Sequence, residues 1–255
     1  MRQREFALTG PYAAALLGLD GFPDLDWSPA WCTKHARVPI DGVIQTRLWR
    51  PPMERNGHLI AHPTLVLRHL GKFDLHHADS IAPRDRIELA VEHALRDGIV
   101  RTGDLRVGGG ENNGDRMIRE IINVRRNEPP TESYAETRWV QLLRASGLVC
   151  WRQVPVVDGT RRLHRVDTVV PFNQRRPRPA VLLSSDGILV EVDSREFHEN
   201  RFEEDHQRES NYDRLNFHWI SVTPNQIEHR PHTVIASLQG AFRRARRAFP
   251  AVSAA

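Results

Sequence analysis

The chain has 255 residues, 40% of them hydrophobic and 27% charged, a composition that is typical of a globular protein and excludes disorder and a long coiled coil. No apolar run approaches the roughly 20 residues of a membrane-spanning helix, and the N-terminus lacks the apolar stretch of a signal peptide, so we expect a soluble cytoplasmic protein. Arginine supplies 34 of the 36 basic residues, and the formal net charge is +4. This balance is compatible with nucleic-acid binding, although GC-rich codon usage produces the same excess of arginine.

The first half of the chain mixes helical and extended patterns. A proline near its start and a glycine at its end mark a short helix over 10–18. Residues 36–70 hold short extended runs between turn residues. Apolar residues three and four positions apart then predict helices over 85–96 and 115–124. Between these helices, the glycine-rich segment 108–114 lacks the Gly-Lys-Ser/Thr ending of a phosphate-binding loop, so we expect a turn there.

A charged segment followed by Pro129 and Pro130 separates the two halves of the chain. Consecutive prolines disfavour helix for the residue before them and are typical of a linker. We therefore expect two domains: a smaller mixed α+β module over 1–127 and an α/β domain over 128–255.

The second half has a regular order of elements. In chain order we predict a helix at 131–146, an extended segment at 148–157, strands at 161–171 and 187–193, a helix at 201–215, a strand at 217–223 and a helix at 233–249. Asn216 tolerates the left-handed backbone conformation that commonly ends a helix. This order predicts a sheet flanked by helices.

Two neighbouring strands of this domain carry acidic side chains. Glu191 and Asp193 alternate with apolar residues on one strand, and Asp167 lies on the strand before it. If the two strands pair as a hairpin, Asp167 and Glu191 converge, and adjacent carboxylates are costly unless a cation compensates their charge. Oxygen ligands suit Mg²⁺ or Mn²⁺, and a metal site of this kind can hydrolyse phosphodiesters. The alternative is that each acid is solvated or paired with one of the many arginines.

Further residues accompany these acids in a definite order. The complete series is Ser133 and Glu136 on the first helix, Arg165 with Asp167, Glu191 with Asp193 and His198, and Asp205 with Arg208 on the next helix. It resembles the very-short-patch-repair-like (Vsr-like) endonuclease domain of the PD-(D/E)xK nuclease superfamily. The family pattern runs Ser-x-x-Glu, Arg-x-Asp, Glu-x-Asp-Gly-x-x-x-His and Asp-x-x-Arg, and the resemblance covers about half of the chain, from residue 128 to about residue 250.

The resemblance implies a restriction-endonuclease-like fold, in which a four-stranded mixed sheet is flanked by helices, and Mg²⁺- or Mn²⁺-dependent cleavage of DNA. By position, Asp167 and Glu191 would be the metal ligands, together with a backbone carbonyl after Glu191. His198 would orient or protonate a group near the scissile phosphate, and Glu136 would hold a metal-bound water.

The same resemblance gives supporting roles to four other residues. Asp193 would belong to the catalytic group and help to shape the site, and Asp205 would support it. Arg165 would contact the nucleic acid, and Arg208 would contact phosphate or brace a carboxylate.

Two of the departures from the family pattern bear directly on the site. Asp193 stands two residues after Glu191, where the superfamily usually has lysine. In addition, 23 residues separate Asp167 from Glu191, about twice the family's usual spacing. The extra segment is basic and includes Arg175 and Arg176, which either contact a DNA backbone or form a solvated loop tip.

The first half of the chain carries a second resemblance. Residues 8–21 and 87–96 are similar to the region that precedes this nuclease domain in antitoxin-like proteins of the abortive-infection type. The similarity implies a module that contacts DNA or a protein partner, and the sequence leaves open whether the chain forms a homodimer.

The sequence therefore supports two main functional hypotheses. The first is a metal-dependent DNA endonuclease, acting in DNA repair or defence. The alternative is a catalytically inactive nuclease fold that binds DNA as a regulator or antitoxin-like protein. A third, unrelated function would require Asp167 and Glu191 to lie far apart or to point to opposite faces.

Overall fold

The computed structural model describes the chain in eight segments: residues 6–33, 43–45, 50–76, 79, 81–106, 113–125, 128–193 and 202–248. The chain divides into two compact units, Met1–Pro130 and Thr131–Ala255. The sequence places the boundary between residues 127 and 128, within the same proline-containing segment. Each unit has a mixed sheet and its own hydrophobic core.

The first unit combines a five-stranded sheet with five helices among its described residues. Its elements are β1 (Phe6–Thr9), α1 (Gly10–Leu16), β2 (Ala30–Thr33), β3 (Val43–Gln45), β4 (Met53–Arg55), β5 (His58–Ile60), α2 (Pro63–Leu70), α3 (Pro83–Arg96), α4 (Thr102–Arg106) and α5 (Asn113–Val124). The strand order is β3-β2-β1-β5-β4. The β1–β5 and β2–β3 pairs are parallel and the other two pairs are antiparallel, so the sheet is mixed.

The helices predicted at 10–18, 85–96 and 115–124 are confirmed as α1, α3 and α5. The prediction of short extended runs between turn residues over 36–70 is wrong at Pro63–Leu70, which is helix α2. Every residue of α2 is buried, including the polar Thr64, Arg68 and His69, so the helix has no solvent-exposed face of the kind that marks an amphipathic helix. Most of the glycine-rich segment lies outside the described residues, although α5 already begins within it.

The strands β4 and β5 form a hairpin around Asn56 and Gly57. Both residues have positive φ, 51° and 75°, which two-residue hairpin turns of the type I′ class require and which Asn-Gly adopts most readily. The core of the unit forms where α1, α2, α3 and α5 pack with the sheet.

The second unit, which contains the acid pair, follows the predicted order of elements. Its elements are α6 (Tyr134–Ala145), β6 (Trp151–Asp158), β7 (Arg161–Pro171), β8 (Gly187–Val192), α7 (Phe202–Arg214), β9 (His218–Val222), α8 (Pro224–His229) and α9 (Pro231–Ala248). Asn216 has φ 56°, which confirms the left-handed residue expected after α7. Only the short helix α8 was not predicted; it begins with a capping box at Thr223 and Gln226.

The sheet of the second unit has the order β6-β7-β8-β9. The first two pairs are antiparallel and β8–β9 is parallel, so this sheet is mixed as well. Helices α6, α8 and α9 contribute to one hydrophobic cluster with the sheet, whereas Tyr212 of α7 belongs to a second cluster. Ile188 and Val190 belong to the first cluster and Leu189 to the second, and all three are fully buried.

The protein is thus of the mixed α/β class in both units. Among the described residues, none of the helices combines the length and apolar character needed to cross a membrane.

Candidate functional site

The acid pair lies where strands β7 and β8 stop pairing. The ladder between them ends at Thr168 and Val190, and Asp167 and Glu191 occupy the next register position. At this position a side-chain hydrogen bond takes the place of a backbone one: Asp167 Oδ2 accepts a hydrogen bond from the Val192 backbone N–H at 2.8 Å. The convergence expected from the hairpin is therefore present.

Burial and mutual repulsion control the protonation of this pair. Desolvation, followed by the charge of Glu191, raises the pKa of Asp167 well above its usual value. Desolvation also raises the pKa of Glu191, against lowering by hydrogen bonds and by the charge of Arg208. The two carboxyls are therefore buried close enough for the charge of one to affect the protonation of the other. A buried acid pair of this kind can bind a proton or a cation, because either charge relieves the repulsion.

Glu136 brings a third carboxyl group close to the pair. Ser133 caps α6 by accepting a hydrogen bond from the Glu136 N–H at 3.1 Å. The Glu136 side chain turns back, and its Oε2 accepts hydrogen bonds from the Glu132 N–H at 2.8 Å and from the Gln153 amide at 2.9 Å. Desolvation, followed by the charge of Asp167, raises the pKa of Glu136 to about 8, so this buried carboxyl titrates near neutral pH.

Gln153 is a site residue that sequence reasoning missed. It lies within β6 but has φ 48°, a left-handed conformation that is unusual for glutamine in a strand. Its neighbours pair as Arg152–Thr168 and Val154–Val166, so Gln153 occupies the register position opposite Asp167. No feature of the sequence marks a glutamine for this conformation.

Tyr212 and His164 were also missed; Tyr212 lies beside Glu191, and His164 lies against Tyr212. The Tyr212 hydroxyl donates a hydrogen bond to Glu191 Oε1, and its ring meets the His164 ring edge-on with centroids 5.0 Å apart. Desolvation, followed by the charge of Arg208, lowers the pKa of His164 to about 4, so this imidazole is neutral at physiological pH. The i+4 spacing of Arg208 and Tyr212 on a helix was the only available signal for the tyrosine.

Arg208 lies close enough to the acid pair for its positive charge to act on both carboxyls. It projects from α7, and its charge lowers the pKa values of both Asp167 and Glu191. It makes no ion pair with either carboxylate among the described residues. The charge of Arg208 therefore lowers both pKa values without an ion pair that would block the carboxylate oxygens.

Other predicted residues lie outside this cluster or are used elsewhere. Arg165 forms an exposed ion pair with Glu132. Arg176 forms an ion pair with the buried Asp186 within the segment between β7 and β8. Arg175 of the same segment is exposed. Asp193 directly follows β8, and its N–H bonds the Val222 carbonyl at 2.8 Å.

The side chains of two predicted residues are not among those that the structure describes. His198 lies outside the described residues, and the side chain of Asp205 is not described, although its backbone belongs to α7. The geometry therefore bears on neither assignment.

The donor chemistry of the site fits a hard divalent cation. Asp167 and Glu191 offer carboxylate oxygens, and the end of β8 supplies backbone carbonyls, which together form the all-oxygen set that Mg²⁺ and Mn²⁺ prefer. Among the described residues, which do not include His198, there is no group of three or more His, Cys, Asp or Glu side chains that could hold a metal ion. The cation would thus depend on two carboxylates, backbone oxygen and water.

Comparisons of the chain with protein-family models, curated proteins and solved structures gave no significant match.

Proposed function

We propose that the second unit is a divalent-cation-dependent DNA endonuclease that hydrolyses phosphodiester bonds, with a restriction-endonuclease-like fold of the Vsr-like branch. The observation that carries the proposal is the meeting of two buried carboxyls, Asp167 and Glu191, at the point where β7 and β8 separate. The proposal places the protein in the cytoplasm, in DNA repair or defence, with the first unit contacting DNA or a partner.

In this proposal Asp167 and Glu191 hold Mg²⁺ or Mn²⁺. The chemistry that such an ion supplies is polarisation of the phosphodiester and activation of the attacking water. The Val192 N–H orients Asp167, and the Tyr212 hydroxyl orients Glu191. Both carboxylates are therefore held in place before a ligand binds, as metal-site ligands usually are.

Glu136 is the group best suited to move a proton. Asp167 helps to raise the pKa of Glu136 to about 8, so the ionised fraction of Glu136, which grows as pH rises towards 8, can take a proton from the attacking water. Arg208 is positioned to balance the charge that the phosphate brings to the site. His198 and Asp193 keep the catalytic roles that the family resemblance implies, and Asp205 keeps its supporting role.

A plasmid-nicking assay tests this proposal. Supercoiled plasmid is incubated with Mg²⁺ or Mn²⁺ and with wild type, Asp167→Asn or Glu191→Gln, each of which removes one charge with little change in shape. We expect nicking by the wild type and its loss in both variants. Asp158→Asn is the matched control, because Asp158 is an exposed acid of the same unit that pairs with Arg214. Equal nicking by all four proteins would reject the site.

The alternative, a nuclease fold that binds DNA without cutting it, is favoured by one feature of this site. Asp193 occupies the position of the superfamily lysine, so the second unit lacks the cation that usually assists there. A regulator or antitoxin-like protein would bind DNA in a salt-dependent manner without metal-stimulated cleavage. Nicking by the wild type that is lost in Asp167→Asn excludes this alternative.

A further inference from the structure

Strand β6 is kinked beside the acid pair, and a loop arginine holds the kink. We propose that Gln153 and Arg178 are positioning residues, which together hold the Glu136 carboxylate towards Asp167. The inference rests on the proposed function, in which Glu136 acts at the reacting phosphate. Neither Gln153 nor Arg178 belongs to the series of residues that suggested that function.

The backbone at Gln153 is costly by itself. Its side chain is 3% exposed and its φ of 48° interrupts an eight-residue strand. A non-glycine residue in the left-handed region persists only where surrounding contacts compensate the strain, and such residues concentrate at functional sites. The kink also coincides with an interruption on β7, because Val166 and Val169 both belong to the same hydrophobic cluster, which a strictly alternating strand would not allow.

Arg178 supplies the compensating contacts. Its Nη1 donates to the Arg152 carbonyl at 2.9 Å and its Nη2 to the Gln153 carbonyl at 3.1 Å. A planar guanidinium can bridge two successive carbonyls in this way, whereas a lysine ammonium offers a single point of charge.

The loop that carries Arg178 is itself anchored. Leu182 is buried in the second hydrophobic cluster, and Arg176 pairs with the buried Asp186. This loop is the segment by which the chain exceeds the usual spacing between Asp167 and Glu191. Its length therefore has a structural consequence, since the loop brings a guanidinium to the edge strand β6.

The kink determines where the amide of Gln153 lies. From this backbone conformation the amide donates to Glu136 Oε2, the same oxygen that accepts the Glu132 N–H. Two donors on one oxygen restrict the rotation of the carboxyl group and leave Oε1 as the oxygen that can act on a reacting group. Arg178 acts on Glu136 only through Gln153.

Four variants test this chain of contacts. Gln153→Gly keeps the kink, because glycine adopts positive φ without strain, but removes the amide. Arg178→Ala removes the bridge, and Arg178→Lys keeps the charge without the fork. Their combination, Gln153→Gly with Arg178→Ala, tests whether the two residues act as one unit. Arg162→Ala is the control, since Arg162 is an exposed arginine of β7.

We expect Gln153→Gly, Arg178→Ala and Arg178→Lys each to lower the cleavage rate at saturating DNA by about 10- to 100-fold, with unchanged DNA affinity. The double variant should be no slower than the slower single variant, because the two residues act through one contact. Full activity of Arg178→Lys, or rate losses that multiply in the double variant, would overturn the proposal.

A second readout does not depend on cleavage. The side-chain amide protons of Gln153, identified by their absence in Gln153→Gly, should exchange slowly with solvent in the wild type and in Arg162→Ala, and rapidly in Arg178→Ala. Unchanged protection in Arg178→Ala would refute the positioning role even if the wild type cuts no DNA. Absence of nicking by the wild type, with this protection pattern intact, would instead reject the proposed function alone.

Discussion

The acids at the candidate site of the second unit are buried differently from the acids of the first unit. In the first unit each deeply buried acid meets an arginine: Asp115 pairs with Arg68 at 2.7 Å, and Glu92 pairs with Arg125 at 3.1 Å. In the second unit Asp186 pairs with Arg176 in the same way, whereas Glu136, Asp167 and Glu191 are buried near one another and their pKa values are raised. Paired acids are structural, whereas a group of buried acids without paired arginines stores repulsion that only a proton or a cation relieves.

Breaking a pair in the first unit should have the largest effect on stability. Asp115→Asn leaves the Arg68 guanidinium, which is 6% exposed, as a buried charge without its partner. Such losses cost about 3–5 kcal/mol, so we expect the melting temperature of this unit to fall by roughly 10 °C or more. Asp104→Asn is the matched control, because Asp104 pairs with Arg50 at 3.0 Å near the surface, where the loss of an ion pair costs far less stability. Equal losses in a calorimetric scan would contradict the comparison.

Removing an acid from the second unit should instead make it less sensitive to pH. Glu136 titrates at about 8 in the folded protein and near 4.5 when unfolded, so the folded state binds the extra proton between these values. Without divalent cation, the free energy of unfolding should therefore fall as pH rises from about 5 to 8. In denaturation experiments with chelator at about pH 5 and pH 8, the difference in the free energy of unfolding should be smaller for Glu136→Gln than for the wild type. A slope that stays unchanged in the variant would show that Glu136 is not the titrating group.

A smaller effect is expected from the hydroxyl group that supports Glu191. Tyr212→Phe keeps the buried ring but removes its hydrogen bond to the carboxylate, and losses of this kind reduce metal affinity by about 10- to 100-fold. Titration calorimetry with Mn²⁺ measures the change. Tyr134→Phe is the matched control, because its hydroxyl bonds Glu228 at 3.4 Å in an exposed position. Equal Mn²⁺ affinity in both variants would show that the Tyr212 hydroxyl does not support metal binding.

The smallest effect concerns Arg165, whose ion pair with Glu132 is exposed. Arg165→Gln should change the free energy of unfolding by less than about 1 kcal/mol. If Arg165 contacts a DNA phosphate, the salt dependence of DNA binding should lose about one unit of slope. An identical slope in the variant would show that Arg165 does not contact a DNA phosphate.

The sequence predicts the second unit better than the first for a physical reason. The second unit has long strands, such as Arg161–Pro171, and amphipathic helices, so the hydrophobic periodicity of its elements can be recognised in the sequence. The strands of the first unit have three or four residues, too few to display alternation. Helix α2 is buried on all sides, so it does not alternate between a buried and a solvent-exposed face.

The site was predictable only where it follows from strand geometry. Asp167 and Glu191 converge because residues opposite each other in a hairpin share a register position. The kink at Gln153 depends on contacts made by Arg178 from a loop far along the chain, which no local pattern encodes. For the same reason, the sequence could not distinguish Arg175, Arg176 and Arg178, although each has a different environment.

The central claim is that Asp167 and Glu191 together hold a divalent cation. Titration of the protein with Mn²⁺, followed by the paramagnetic resonance signal of the free ion, measures this binding without any need for cleavage. We predict one bound ion for the wild type and for Asp158→Asn, and loss of that ion in both Asp167→Asn and Glu191→Gln. Unchanged Mn²⁺ binding in the two site variants would contradict the account.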